Sequence, residues 1–462
     1  MPTNFIPIAL VVFLTVAPLF GATNETAWKA GVATVVITPD QPMWMAGYAS
    51  RTNVSQGKAT DLYAKALALD DTRGRRLVIV TLDLIGVPRS LRNGLGAAVA
   101  KEHGLPREGL LINASHIHSG PEFRMGPGPQ DWAMFGKEGI PGAKSGAEYG
   151  RELQTKLVEL VRRAIADRAP AKLSYQHSRC GFAMNRRTPV GTNYNNFPNP
   201  DGPVDHDVPV LRVEGADGKL RAVLFGYACH NTTLALYQFC GDYAGYAQQY
   251  FETANPGVTA LFMQGCGGDQ NPYPRGTFEL AQQHGRSLAT SVEAALQTRP
   301  RPLAGPLRLA YAEVDIDYDG PPTRAEFEEK LKSSNQYEAQ HAHRFLDRLA
   351  KGEKLSEKYS FPVQIVHFGD ELTLVALAGE TVVDYSLRLK RELTGPPLWV
   401  AGYCNDVMGY IPSARLLREG GYESHSSIFF SEIHPGPWAP SLEERIIAKV
   451  HALNEGLLRG DR

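Results

Sequence analysis

Apolar and polar residues alternate along this chain in two rhythms. Runs rich in apolar and β-branched residues, separated by short turns, predict three hairpins. The first pairs Leu62–Leu69 with Leu77–Leu84 across Asp70–Arg75. The second joins VPVLRV to LRAVLFGYACH through Asp217-Gly218, and the third joins FPVQIVHF to ELTLVALAGE through Gly369-Asp370. A further apolar run, LLINASHIH, reads as a fourth strand region. In the other rhythm, Leu153, Leu157, Leu160, Val161 and Ile165 fall on one face of a helix predicted over Ser145–Asp167. Phe278–Leu296, Arg324–Lys351 and Ser441–Leu457 follow the same period, and the segment 324–351 is charged enough to be expected on the surface. Phe123–Gly142 and Asn185–Pro203 are rich in Gly, Pro and Asn and hold neither rhythm. They are expected to be site-forming loops.

The ends of the strands carry the chemistry. The first hairpin returns to Asp83, the second to His230 and the third to Glu380, while the fourth run ends on His116 and His118. Four strands thus deliver metal-capable side chains to their carboxyl ends, where rigid elements hold a catalytic constellation well. This pattern predicts an α+β (mixed α/β) fold: one large catalytic domain over residues 23–462, with mixed or antiparallel sheets and hairpins flanked by helices.

Composition narrows the picture. Hydrophobic residues make up 43% of the 462-residue chain and charged residues 21%, enough apolar surface for a large core. The 48 basic and 49 acidic residues leave a formal net charge of -1, which offers no field for a nucleic-acid backbone. One apolar run, Phe5–Ala22, is broken by Pro18 and ends in small residues, so residues 1–22 are expected to be a signal peptide directing the protein to the periplasm or outside the cell; an uncleaved anchor is the alternative. The cysteines, Cys180, Cys229, Cys240, Cys266 and Cys404, are odd in number and irregular in spacing, and free buried thiols are expected.

The segment Ala114–Pro121 is the most informative. Two histidines one residue apart share a strand face unless the strand ends between them, so His116 and His118 either both bind a divalent metal or supply one ligand and one proton-transfer group. His230 closes an apolar strand, and Glu380 follows an apolar strand broken at Gly379, where a buried carboxylate needs a partner or a cation. In Gln264–Pro272 three glycines bring backbone close to a neighbour and aim Asp269 and Asn271 into that space. Asp83 and Asp269 either orient ligating histidines or cap strands and turns. Trp44 and Met45 belong either to the core or to the lining of an apolar channel.

The ordered set GYA, HxHSGP, an Asn-Arg pair, a strand-terminal Cys-His, a Gly-rich GD loop, a strand-terminal Gly-Glu and a Gly-Tyr turn resembles the neutral ceramidases from about Gly31 to Tyr422. The resemblance implies one zinc ion per chain held by His116, His230, Glu380 and Tyr410, with His118 beside it as proton-transfer group. It places Arg186 and Tyr422 in the substrate site. Two departures stand out. The family's GDxSPN loop reads GDQNPY here, so Asn271 replaces a serine and rules out an acyl-enzyme at that position; Asn271 is expected instead to donate a hydrogen bond to a developing oxyanion. About 40 residues follow Tyr422, too few for the family's immunoglobulin-like domain of about 100 residues. The expected activity is hydrolysis of an amide bond in a small-molecule or lipid amide such as ceramide, through zinc-activated water and compatible with peripheral membrane contact. A different small amide or ester, or a secreted binding protein that has lost catalysis, are the alternatives. Nothing in the sequence speaks to oligomeric state.

Overall fold

A computed structural model describes residues 28–126, 140–320 and 322–460, together with Met1. The segment 1–22 read as a signal peptide and much of the predicted loop 123–142 therefore lie outside the described residues. Within them no helix is long and apolar enough to cross a membrane.

Two sheets lie face to face between two layers of helices, in agreement with the mixed α/β expectation. The larger runs in the order Thr259–Gln264, Leu220–Tyr227, Asp207–Gly215, Ala169–Arg179, Trp28–Val36, Tyr63–Asp71, Arg76–Leu82, Leu110–Ala114, with Arg301–Leu303 added beside Ala169–Arg179. The smaller runs Leu307–Asp317, Lys358–Phe368, Leu372–Leu377, Leu398–Ala401. All three predicted hairpins form as antiparallel pairs. Strand alternation explains the layering. Ala64, Ala66 and Ala68 face the helices Arg89–His103 and Gly146–Ala166, whereas Leu67 and Leu69 face the smaller sheet through Leu374 and Trp399. The far side of the smaller sheet packs on helices Val383–Glu392 and Leu442–Arg459.

The predicted helices over 145–167, 278–296 and 441–457 are present, the first capped by the Ser145 hydroxyl on Glu148 N–H. The helix predicted over Arg324–Lys351 is two: Arg324–Lys330 and Gln336–Ala350. The break holds two serines and Asn335, whose side chain caps the second helix by accepting from Tyr337 N–H, and such residues compete with helical hydrogen bonds. These helices still bury Phe327 and Phe345 in a small core of their own. The stretch expected as a loop over 185–203 is largely a hairpin, Ala183–Val190 with Asn193–Asn199, whose second strand is mostly exposed and so lacks an apolar rhythm.

Within these two sheets three strand pairs are parallel: Arg76–Leu82 with Leu110–Ala114, Leu220–Tyr227 with Thr259–Gln264, and Leu372–Leu377 with Leu398–Ala401. Side chains gather beyond the carboxyl ends of parallel strands in many α/β folds, and here both sheets turn such ends toward one place. Fully buried amides bind them together. Asn113 donates to the Gln264 and Gly402 carbonyls and accepts from Gln264 N–H; Gln270 donates to the Ala228 carbonyl. Leaving any of these groups unpaired would cost about 1–3 kcal/mol, so this polar junction fixes how the sheets meet. Asn113 of this junction, and Asn231, which donates to the Ser115 carbonyl, lie in N-x-[ST] patterns but are wholly buried, which makes them inaccessible to glycosylation in the folded chain.

Candidate metal centre

The histidines and the glutamate stand just past the strands rather than on them. Leu110–Ala114 ends two residues before His116, Leu220–Tyr227 three before His230, and Leu372–Leu377 three before Glu380. Backbone conformation makes these short extensions turn. His116 is left-handed at φ 61°, uncommon for a residue with a side chain and a mark of local strain. Gly379 has φ 66°, and a Cβ there would lie 2.5 Å from Ile411 Cγ1. Past that turn Glu380 and Tyr410 become direct partners in a two-residue parallel pairing, which sets a carboxylate beside a phenol.

His116 Nδ1 hydrogen-bonds the Ile85 carbonyl at 2.6 Å, and His230 Nδ1 the Gly267 carbonyl at 2.7 Å. With the ring protons committed there, both Nε2 lone pairs face inward. Glu380 Oε2 lies 3.1 Å from His116 Nε2 and 3.3 Å from His230 Nε2, and the Tyr410 hydroxyl 3.0 Å from His230 Nε2. His118 Nε2 is 3.1 Å from His116 Nε2. The ligand atoms of His116, His118 and His230 all fall within 4.8 Å of one another. Burial, reinforced by Arg186, lowers the His230 pKa to about 3; burial and the other two imidazoles hold His118 well below its ordinary value. Burial opposes ionisation of Glu380, but the His116 and His230 imidazoles outweigh it and hold the carboxyl well below its usual range. Imidazole nitrogens and a carboxylate oxygen thus converge, and Glu380 Oε2, though buried, accepts no hydrogen bond from the described residues. This donor set fits a divalent cation of the zinc class. Burial raises the Tyr410 phenol well above its ordinary value against the pull of Arg186, so its ionisation calls for a further positive charge at the cluster.

The Gly-rich loop packs as its glycines require. A Cβ on Gly267 would lie 2.8 Å from Cys229 N and one on Gly268 2.6 Å from the Glu380 carbonyl oxygen. Asp269 does not touch a histidine: its carboxylate accepts from Val383 N–H at 2.9 Å and from Asn185 Nδ2 at 3.0 Å. Asp83 likewise accepts from Tyr63 N–H and Ser115, so carbonyls rather than these aspartates orient the imidazoles. Asn271 presents its carbonyl to Arg186 Nη1 at 3.2 Å and its NH₂ to Asn196 and Tyr273. Arg186 donates to Tyr410, Asn271 and Glu423, while the Tyr422 ring meets Tyr410 edge-on at 5.3 Å.

A cavity of about 140 Å³ opens onto the centre, walled by Trp44, Met45, Tyr48, Ile85, His118 and Phe430 among others. Trp44 and Met45 therefore line the site. Gly47, at φ 94°, makes room for His118, whose ring a Cβ would approach to 2.4 Å. The five cysteines are free and buried, and Cys266 packs among apolar side chains of the smaller sheet. Sequence reasoning missed Tyr403, left-handed at φ 55° with its ring 4.6 Å from that of His116, and the pair Arg187 and Glu423. Positive φ at a tyrosine and ion pairs far apart in the chain leave no local signal.

Comparison with known proteins adds independent findings. The family model for the neutral/alkaline non-lysosomal ceramidase N-terminal region matches residues 28–306, more than half of the chain. Neutral ceramidase B of Dictyostelium discoideum is 27% identical over 282 residues, 55% of this chain and 37% of that protein. The chain thus spans little more than a third of that relative's length. The crystal structure of a neutral ceramidase from Pseudomonas aeruginosa superposes with a TM-score of 0.70 at 20% identity, covering 91% of this chain and 72% of that one. A structure described as a ceramidase complexed with C2 gives 0.69 at 18% identity, covering 93% and 76%.

Proposed function

Since the chain belongs to the neutral/alkaline non-lysosomal ceramidase family, we propose that it is a zinc-dependent hydrolase of amide bonds, with N-acyl lipids such as ceramide as its first substrate class. The observation that carries this reading is the convergence of the His116 and His230 Nε2 atoms on a Glu380 oxygen that accepts no hydrogen bond from the described residues. His116, His230, Glu380 and Tyr410 would hold one zinc ion, which supplies Lewis acidity toward the amide carbonyl and a nucleophile at neutral pH.

The chain's own residues do the rest. His118 Nε2 faces the cluster and its Nδ1 has no hydrogen-bond partner among the described residues, so the ring is not committed to the frame as those of His116 and His230 are. It takes a proton from the attacking water at Nε2 and returns it to the departing nitrogen, which leaves as an amine while the acyl group takes up the hydroxyl. Met45, Ile85 and Phe430 give the acyl portion an apolar wall that excludes water. With no acylatable side chain at 271, the route proposed is direct attack by water.

Elemental analysis combined with a substrate panel tests the reading. We expect about one zinc per chain, release of fatty acid from N-acyl sphingoid bases, loss of turnover on chelation, and its return with zinc. Absence of zinc from the purified protein would refute the mechanism. Hydrolysis of esters alone would favour the second reading, a different small substrate, and binding without turnover in zinc-replete protein would favour a binding protein. Export rests on the Phe5–Ala22 segment; N-terminal sequencing of the mature protein is expected to begin near Thr23.

A further inference from the structure

We propose that Glu423 is a positioning residue for this centre: its carboxylate, shared by Arg186 and Arg187, fixes the Arg186 guanidinium behind Tyr410, so that Arg186 acts through the phenol and not on the substrate. The inference rests on the metal-centre reading above and on a local departure from strand geometry. Consecutive residues on a regular strand point to opposite faces. Arg186 and Arg187 are consecutive on Ala183–Val190, yet both reach one carboxylate, with Arg186 Nε 2.8 Å from Oε1 and Arg187 Nη1 2.6 Å from Oε2.

The pairing with Asn193–Asn199 explains how. Its register shifts between Asn185 and Arg187, a bulge centred on Arg186 that re-aims the side chain. Asn185 and Asp269 hold the bulge. Asn185 Oδ1 accepts from Arg187 N–H at 2.9 Å, and Asn185 Nδ2 donates to the Asp269 carboxylate at 3.0 Å. The Asp269 carbonyl accepts from Arg186 N–H at 2.9 Å. This gives a structural purpose to Asn185 and Asp269, neither of which touches the histidines.

The three side-chain nitrogens of Arg186 are all engaged: Nε by Glu423, Nη1 by Asn271 at 3.2 Å and Nη2 by the Tyr410 hydroxyl at 2.9 Å. Arg186 lines neither of the two cavities that meet at Tyr410, whereas Tyr422 lines both. Glu423 therefore anchors two things at once, the cation behind Tyr410 and the loop that presents Tyr422. It also balances charge. Two guanidinium groups buried side by side need anions beside them: Glu423 is shared by both, and Glu419 also accepts from Arg187, so the charge of Arg187 is matched from two sides while Arg186 faces the phenol oxygen. Asn271 completes the arrangement as a neutral acceptor for Nη1, a role its carbonyl fills while the Thr232 hydroxyl donates to the same oxygen at 3.3 Å.

Glu423→Gln keeps the shape and removes the charge. We expect its zinc affinity, measured by competition with a chromophoric chelator, to fall about 10- to 100-fold, while KM for an N-acyl substrate at saturating zinc stays within about threefold of wild type. Arg187→Met breaks the contacts to Glu423 and Glu419 without touching Arg186; it should lower the thermal midpoint and leave zinc affinity within about threefold. If the Gln variant does not fold, Glu423→Asp keeps the charge, gives up the reach to both arginines and should show the same affinity loss. Unchanged zinc affinity with a raised KM would place Arg186 on the substrate and overturn the proposal. An equal affinity loss in the Arg187 variant would overturn it too, by reducing the effect to general loosening of a buried charge cluster. A wild-type protein that binds no zinc would instead bring down the reading of the centre itself.

Discussion

The two sheets furnish their halves of the centre in different ways. The larger sheet supplies imidazoles that are set before any ligand arrives, since the far nitrogens of His116 and His230 are held by the Ile85 and Gly267 carbonyls. The smaller sheet supplies oxygens. Glu380 Oε2 accepts no hydrogen bond from the described residues, and Tyr410 is steadied by Arg186 and His230, both reaching across from beside the larger sheet. One half is preorganised and the other is assembled at the junction. Affinity should then depend on the imidazoles for geometry and on the oxygens for charge.

The sharpest way to break this comparison is to delete the charge. Glu380→Ala leaves both imidazoles on their carbonyls but removes the anion, and we expect loss of stoichiometric zinc with a fall in kcat/KM of at least about 10⁴-fold. Near-normal zinc content in this variant, by elemental analysis, would mean that the imidazole half suffices alone. His118→Ala probes a different contrast, between fixed and uncommitted imidazoles. Here zinc should stay bound while kcat falls about 10²- to 10⁴-fold, the scale of a positioned proton-transfer group. Zinc loss in parallel with kcat would make His118 a ligand of the same kind as His116.

The same division marks what could be read along the chain. The Ser145-capped helix was legible because it buries one regular face, and the three hairpins because their strands are largely continuous apolar runs, buried on both faces, between short turns. The histidines were legible because HxH at a strand end is a local pattern. The helix Arg89–His103 escaped notice: it carries Gly94 and Gly96, no acidic residue in its first turn and no side-chain cap. The Asn-rich hairpin at 183–199 has no core face to give it a rhythm. Glu380 and Tyr410 could be joined into one ligand set only through the family resemblance, because their pairing depends on two parallel strand ends meeting. The Arg187–Glu423 ion pair was out of reach, since its partners approach only after both sheets have docked and a bulge has turned consecutive arginines the same way.

The smallest effect concerns the frame of the imidazole half and is read in stability. Asp83 lies at the carboxyl end of Arg76–Leu82, wholly buried, and burial raises its pKa to about 6 despite the hydrogen bond from Tyr63 N–H. The folded-state value exceeds the unfolded one, near 3.9, so the folded protein holds this proton more tightly. The resulting stabilisation is complete below about pH 4 and is lost as pH rises through about 6. Asp83→Asn keeps an acceptor for Tyr63 N–H and has no proton to lose. Relative to wild type, the variant should gain on the order of 2 kcal/mol of stability between pH 4 and pH 7. Urea denaturation of both proteins at the two pH values measures that difference of differences, in which the groups common to both cancel. A stability gap that does not change with pH would show that Asp83 is already ionised in the folded frame at pH 4, stabilised there by Tyr63 N–H, Ser115 and nearby Lys65 more strongly than burial opposes it.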